Sequence, residues 1–257
     1  MSRSPTDTAR IALACLDLTS LNDADTEADI AALCRRASTP HGNVAAVCVW
    51  PRLAKAARAH APAGVAVAAV ANFPEGSLDT ERALRDTATI VESGAQEVDL
   101  VLPWRALAAG DAAGCAALLR TVRRACTGLR LKVILESGEL RSTALIDQAS
   151  RLALDEGADF LKTSTGKTAR GATPAAAQTM LAAIVADARG RERAGFKASG
   201  GMRSVADAAV YIDLVEVALG SAALVPGRFR IGASSLLADI ESVLGSTDPP
   251  RRPDSGS

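Results

Sequence analysis

The chain has 257 residues, 48% of them apolar, which suits one large domain or two small ones with a substantial core. Its formal net charge is zero, which argues against a nucleic-acid or membrane-surface partner. No apolar run approaches the roughly 18 residues of a membrane span, and the N-terminus shows no convincing signal peptide. Two histidines are too few for a histidine-rich metal site, so we expect no metal site of that kind.

Short apolar segments alternate with alanine-rich amphipathic segments along the whole chain. The predicted strands are Cys15–Thr19, Val44–Trp50, Val65–Asn72, Glu97–Pro103, Leu129–Glu136, Asp159–Ser164, Gly195–Ser199 and Arg228–Ala233. The predicted helices are a short Thr6–Ala14, then Asp25–Ala37, Arg52–His60, Leu78–Ser93, Ala112–Cys126, Ser142–Glu156, Thr173–Ala188, Val205–Leu219 and Ser235–Leu244.

Eight strand–helix units are the number in a TIM barrel, and continuous apolar strands favour a parallel sheet covered by helices. We therefore predict an α/β protein, a single-domain (β/α)8 TIM barrel over residues 1–245. An open doubly wound sheet is the competing architecture. The tail 246–257 is rich in Pro, Ser and Arg, and we expect it to be disordered. The five cysteines are odd in number and form no C-x-x-C pair, which favours free thiols in a cytoplasmic protein.

The placement of lysine is unusual. There are five lysines, and Lys132, Lys162, Lys167 and Lys197 lie in or just after apolar, strand-like runs, whereas Lys55 resembles an ordinary surface cation. A desolvated ammonium can lose its proton, whereas a guanidinium cannot. This pattern therefore favours amine chemistry, although coding bias is an alternative explanation.

Reactive groups of a barrel lie at the carboxyl ends of its strands. The predicted strand ends supply Asp17, Cys48, Asp99, Lys132, Glu136, Lys162 and Lys197. Lys162 and Lys197 fall on adjacent predicted strands at the same depth, where desolvation beside a second ammonium would make one amine nucleophilic. The alternatives are a structural lysine pair neutralised by Asp17 and Asp99, and a Cys48 that merely packs in the core.

Two later segments are suited to binding an oxyanion. Gly200 and Gly201 in ASGGMRS, and Gly232, Ser234 and Ser235 in IGASSLL, leave backbone N–H groups open just before helices. A phosphate site after the seventh and eighth strands recurs in barrels, although the serines also fit plain N-caps and the glycines plain turns. The segment STGKT resembles the end of a P-loop, but Leu161 stands where that motif requires glycine.

These motifs together resemble the deoxyribose-phosphate aldolases, a family of Schiff-base (class I) aldolases. The matching segments are LDLTSLNDADT (16–26), AAVCVWPR (45–52), NFPEG (72–76), EVDLVLPWRAL (97–107), LKVILESGEL (131–140), GADFLKTSTGK (157–167), GFKASGGMR (195–203) and GASSLL (232–237). They extend from residue 16 through nearly the whole predicted fold, and the FLKTSTGK and GFKASGG pair is the most specific.

The resemblance implies roles for individual residues. Lys162 corresponds to the Schiff-base lysine, Lys197 to the cation that depresses its pKa, and Asp99 to the proton-relay carboxylate. Asp17 and Lys132 match charged positions around the site. The positions that hold the substrate and its phosphate are Thr165, Lys167, Gly200, Gly201, Arg203, Gly232, Ser234 and Ser235.

The reaction that the resemblance implies is reversible cleavage of 2-deoxy-D-ribose 5-phosphate to acetaldehyde and D-glyceraldehyde 3-phosphate, with no cofactor. Homodimers are common in the family. One feature departs from some members, which end in a tyrosine that reaches the site, because the single tyrosine here, Tyr211, lies on a predicted outer helix. The alternatives are a class I aldolase for another sugar, a silent sugar-phosphate-binding protein and a metal-dependent isomerase or lyase.

Overall fold

The computed structural model describes residues 3–188 and 190–246, which contain eight parallel strands closed into a barrel in chain order. The predicted TIM-barrel architecture is therefore confirmed. Residues 247–257, which make up nearly all of the predicted disordered tail, lie outside the described residues. The strands are β1 Leu16–Thr19, β2 Ala46–Val49, β3 Ala66–Ala71, β4 Glu97–Val101, β5 Arg130–Ile134, β6 Phe160–Lys162, β7 Gly195–Ser199 and β8 Phe229–Ala233.

Helices cover the outside of the barrel. They are α1 Pro5–Ala14, α2 Glu27–Arg36, α3 Ala54–His60, α4 Thr80–Glu92, α5 Trp104–Ala108, α6 Ala112–Ala125, α7 Ser137–Leu140, α8 Thr143–Asp155, α9 Pro174–Ala186, α10 Gly190–Arg193, α11 Val205–Leu219 and α12 Leu236–Gly245. The predicted helices are all present, including the short N-terminal one. The short α5, α7 and α10 and a small ladder of Ser38–Thr39 with Gly42–Asn43 were not predicted, because they are too short to show a periodic pattern.

Local sequence signals fix the ends of many elements. Side chains of Thr26 and Ser204 form capping boxes at the N-termini of α2 and α11. Gly94 and Gly157, which follow α4 and α8, have φ values of 75° and 87°, as expected for glycines that end a helix before the next strand. Strand β5 ends earlier than predicted because Glu136 adopts a left-handed conformation, with φ of 54°.

The strands form a barrel with two different kinds of interior. One part is apolar, where Cys48, Ala68, Val70, Phe73, Val101 and Ile134 pack together with Leu21. The rest is filled by buried charged side chains. Between the sheet and the helices lies the main core of Ala, Val, Leu and Ile side chains. Among the described residues, no helix has the length and apolar composition that crossing a membrane requires.

Candidate active site

Lys162 is the last residue of β6, and its side chain is 3% exposed. Its Nζ lies 2.8 Å from Oδ2 of Asp99 across the barrel. Burial is the main cause that lowers the pKa of Lys162; the Lys197 ammonium lowers it further, and the Asp99 carboxylate opposes both. Lys162 is therefore a buried amine with an environment that favours its neutral form.

Lys197 pairs with Lys162 in the register of β7 with β6, as the sequence predicted for adjacent strands. Its Nζ lies 2.8 Å from the same Oδ2 of Asp99 and also donates to Asp17. Burial alone would lower the pKa of Lys197, but these two carboxylates outweigh it and raise the pKa. Two neighbouring lysines thus have opposite tendencies: the pKa of Lys197 is raised and that of Lys162 is lowered.

Lys132, in the middle of β5, is fully buried on the other side of Asp99. Its Nζ lies 2.6 Å from Oδ1 of Asp99 and 2.6 Å from Oε2 of Glu97. Burial alone would raise the pKa of Asp99, but the ammonium groups of three lysines outweigh it and hold the pKa well below its usual range. Asp99 is therefore an anion that three amines share.

Glu97 and Arg230, which we call the floor of the barrel, complete the arrangement. Arg230 on β8 places Nη2 2.6 Å from Oε1 of Glu97 and Nη1 2.5 Å from Oδ1 of Asp17. Lys132 joins Glu97 to Asp99, and Lys197 joins Asp99 back to Asp17. We call this closed circuit the charge ring. Three carboxylates and three cations alternate around it, in the order Asp99, Lys132, Glu97, Arg230, Asp17 and Lys197.

The prediction that these groups lie at strand ends was only partly right. Asp99, Lys132 and Lys197 occupy the middle of their strands, and only Lys162 lies at an end. The reason is that inward-facing side chains of a barrel stack in layers below the mouth. A long side chain that starts in the middle of a strand can therefore still contact Lys162 or its partners. Cys48 is also interior, with Sγ 3.8 Å from Oδ2 of Asp99, and burial raises the pKa of its thiol.

A cavity of about 380 Å³ opens at the carboxyl ends of the strands, directly above Lys162. Lys132 and Lys197 are not among its lining residues, so Lys162 is the member of this lysine trio that a small molecule reaches. The lining includes every residue predicted to hold the substrate and its phosphate: Thr165, Lys167, Gly200, Gly201, Arg203, Gly232, Ser234 and Ser235.

The glycines and serines of this cavity are suited to binding an anion. Gly200 and Gly201 have φ of 89° and 94°, a conformation that L side chains rarely adopt. Ser235 is the N-cap of α12, yet its hydroxyl makes no cap hydrogen bond, and the residue is exposed and lines the cavity. The alternative that it is a plain side-chain cap is therefore wrong. A Cβ at Gly232 would lie 3.0 Å from Cε of Lys197, so glycine keeps this wall open.

The loop after β6 is held by Glu136. Its carboxylate accepts hydrogen bonds from the backbone N–H of Thr165 at 3.3 Å and from the hydroxyls of Thr165 and Thr168 at 2.5 and 3.3 Å. Burial raises the pKa of Glu136, whereas the threonine hydrogen bonds lower it. The Nζ of Lys167 donates to the carbonyl of Leu21 at 2.8 Å, which ties the loop across the mouth.

Sequence reasoning missed several residues of this site. Glu97 and Arg230 were overlooked as members of the charge ring, and Glu136 was noted only as a strand-end carboxylate. The signal available for the first two was a charged residue at the edge of an otherwise apolar strand. Within the described residues, no group of three or more His, Cys, Asp or Glu side chains is arranged to hold a metal ion.

Comparison with known proteins gives a consistent result. The family model described as DeoC/LacD family aldolase matches residues 11–242. A deoxyribose-phosphate aldolase of Agrobacterium fabrum is 44% identical over 251 residues, which cover 95% of this chain and 95% of the relative.

Solved structures with the same fold are also similar. An apo structure from Toxoplasma gondii, provisionally assigned as a deoxyribose-phosphate aldolase, has a TM-score of 0.85 at 27% identity, covering 95% of this chain and 99% of that one. The tetrameric deoxyribose phosphate aldolase of Aeropyrum pernix has a TM-score of 0.71 at 28% identity, covering 93% and 92%.

Proposed function

The chain belongs to the DeoC/LacD aldolase family, and we propose that it reversibly cleaves 2-deoxy-D-ribose 5-phosphate to acetaldehyde and D-glyceraldehyde 3-phosphate. The observation that carries the proposal is the position of Lys162, a buried amine that lines a cavity together with the glycines and serines expected to hold the phosphate. That arrangement presents a nucleophile and a phosphate site within one small pocket.

Lys162 is the nucleophile of the proposed reaction. Its neutral amine attacks the C1 aldehyde carbon of the open-chain sugar, and the carbinolamine loses water to give a protonated imine. The C3 hydroxyl then loses its proton, the C2–C3 bond breaks, and the electron pair of that bond forms an enamine. C3 becomes the aldehyde carbon of glyceraldehyde 3-phosphate. The enamine accepts a proton at C2, and water hydrolyses the imine to acetaldehyde and the free amine.

Asp99 and Lys197 serve the proton transfers. Asp99 accepts a hydrogen bond from the Lys162 amine at 2.8 Å, and Lys197 donates to the same carboxylate oxygen at 2.8 Å. Because the pKa of Asp99 is far below 7, this carboxylate does not retain a proton, and we infer that it orients a water molecule that carries the proton to and from the substrate. This relay does not need a terminal tyrosine. Tyr211 is buried on the outer helix α11, and the tail beyond residue 246 lies outside the described residues.

The phosphate of the substrate fits the other end of the cavity. The N-terminus of α12 and the backbone around Gly200 and Gly201 supply N–H donors, and helix N-termini favour anions. Arg203 and Lys167 line the same wall and add positive charge. The distance between this wall and Lys162 sets the length of sugar phosphate that the cavity accepts.

Borohydride trapping tests the proposed function. Wild-type protein is incubated with acetaldehyde, reduced, digested and mapped by mass spectrometry, and the two-carbon adduct is expected on the peptide that contains Lys162. Lys162→Arg should abolish both the adduct and turnover, while titration calorimetry with glyceraldehyde 3-phosphate shows binding within a few-fold of wild type. Lys55→Arg on the exposed face of α3 is the matched control.

The outcomes separate the candidate functions. Phosphate binding without any adduct indicates a silent binding protein, and an adduct on another lysine refutes the assigned nucleophile. Loss of turnover after chelation indicates a metal-dependent enzyme. An adduct with a ketone donor in place of acetaldehyde indicates a class I aldolase for another sugar.

We also propose that the chain forms a homodimer in the cytoplasm. The five cysteines are free and buried, which suits a reducing compartment. Val217 on α11 is 87% exposed, an unusual position for a large apolar side chain that a subunit contact would cover. Light scattering after gel filtration distinguishes a dimer from a monomer or from a tetramer like the Aeropyrum pernix relative.

A further inference from the structure

The seven buried charged groups of the barrel interior do not have equal numbers of partners. The charge ring contains three carboxylates and three cations and is closed by contacts of 2.5 to 2.8 Å. Lys162 stands outside it and touches only one member, Asp99. None of the seven side chains is more than 3% exposed, so solvent screens their mutual interactions very little.

We propose that the charge ring, completed at the barrel floor by Glu97 and Arg230, keeps Lys162 in its uncharged form. The ring is neutral by itself, because each carboxylate is already balanced by an ammonium or a guanidinium. A proton on Lys162 would therefore leave a net positive charge in a buried interior, which is unfavourable. Glu97 and Arg230 do not touch the reacting atoms and act as positioning residues.

The role of the floor follows from its connections. Arg230 holds Asp17, which in turn holds Lys197, and Glu97 holds Lys132. Lys132 and Lys197 thus each have a second carboxylate partner besides Asp99, which raises the pKa of both. The guanidinium of Arg230 also lies 5.8 Å from the centroid of the Phe160 aromatic side chain. Phe160 therefore packs near the Arg230 end of the charge ring.

Other groups near Lys162 lie outside the charge ring. The apolar wall from β2 and β3 presents Ala68, Val70 and the thiol of Cys48, whose pKa burial raises. Burial also raises the pKa of Glu136 beyond β5. Arg130, at the solvent edge of the floor, is a second partner of Glu97 at 2.7 Å. The charged and titratable groups that face Lys162 or its partners are Asp17 on β1, Cys48 on β2, Glu97 and Asp99 on β4, Lys132 on β5, Glu136 after β5, Lys197 on β7 and Arg230 on β8.

The proposal rests on the proposed function, because it assumes that neutral Lys162 is the reactive species. It predicts that two substitutions at the floor shift the pKa of Lys162 in opposite directions. Glu97→Gln removes one negative charge, so the interior resists a proton more strongly and the pKa of Lys162 falls. Arg230→Met removes one positive charge, so the pKa of Lys162 rises. At an effective dielectric constant of about 20, a unit charge about 10 Å away shifts a pKa by about one unit.

The experiment measures how the rate of imine formation between acetaldehyde and Lys162, trapped by borohydride, depends on pH. We expect the acid limb of the profile to move down by about one pH unit in Glu97→Gln and up by about one unit in Arg230→Met. The double variant, with two anions and two cations in the ring, should return close to the wild-type limb. Arg230→Lys preserves the charge and should also leave the limb near its wild-type position.

A purely structural role for the floor would lower the thermal midpoint without moving the two limbs in opposite directions. An unmoved or upward-shifted limb in folded Glu97→Gln, or a double variant whose limb stays where that of Glu97→Gln lies, would overturn the proposal. These two variants remain decisive even where Arg230→Met does not fold, since Glu97→Gln is isosteric and the double variant leaves no unpaired charge. A wild-type protein that forms no adduct at any pH refutes the proposed function instead, so the two failures are distinguishable.

Discussion

Replacement of Lys197 by leucine is the sharpest test of how the site activates its amine. The nitrogens of Lys197 and Lys162 each lie 2.8 Å from the same oxygen of Asp99. With the two charges about 5 Å apart and an effective dielectric constant of about 20, the repulsion that Lys197→Leu removes is about 3 kcal/mol. That free energy corresponds to a rise of about two units in the pKa of Lys162.

The sign follows from which form reacts. Lys162 attacks only when it is neutral, and a higher pKa leaves less neutral amine at any given pH. The acid limb of kcat/KM for cleavage of 2-deoxy-D-ribose 5-phosphate should therefore move up by about two pH units in Lys197→Leu. Loss of Lys197 also leaves Asp99 with fewer cationic partners, which adds to the same effect because Asp99 then favours a charged Lys162 more strongly.

The assay is a pH–rate profile for the variant, for wild type and for Lys55→Leu, which removes an exposed lysine from α3. Far-ultraviolet circular dichroism at each pH shows whether the variant stays folded. The reasoning is refuted if the limb of Lys197→Leu coincides with that of the other two proteins, or lies at lower pH. A lower plateau alone, with an unmoved limb, would show that Lys197 moves protons but does not tune Lys162.

Three further changes test other parts of the site. Glu136→Gln should raise KM for the phosphorylated sugar several-fold by loosening Thr165, while trapping of acetaldehyde stays unchanged; a change confined to trapping would contradict this. Gly232→Ala places a methyl group 3.0 Å from neighbouring side chains, so kcat/KM should fall, and wild-type kinetics would argue against a tight wall. Gly195→Ala places Cβ 2.3 Å from the Phe160 ring and should cost about 1–3 kcal/mol of stability, seen as a lower thermal midpoint, with an unchanged midpoint as the contrary result.

Much of the fold was predictable because the signals are local. Continuous apolar runs flanked by caps and glycines predict buried parallel strands between helices, and eight such units predict a barrel. Lys162 and Lys197 could be paired in advance, since equivalent positions on neighbouring parallel strands lie at the same depth. That the glycines and serines of residues 200–201 and 232–235 share one cavity was also predictable, because they occur just before helices at the carboxyl ends of neighbouring strands.

The sequence by itself indicated that Asp17, Asp99, Lys132, Lys162 and Lys197 are interior groups, because each is a charged residue within an apolar strand. Only the tertiary structure decided how those charges pair. Arg230 meets Asp17 and Glu97 across separations of 213 and 133 residues, and those contacts depend on the register and closure of all eight strands. Along the chain Glu97 and Arg230 resemble ordinary charges at strand edges, because the energy of an ion pair depends on the distance between its atoms and on burial, and neither is local in sequence.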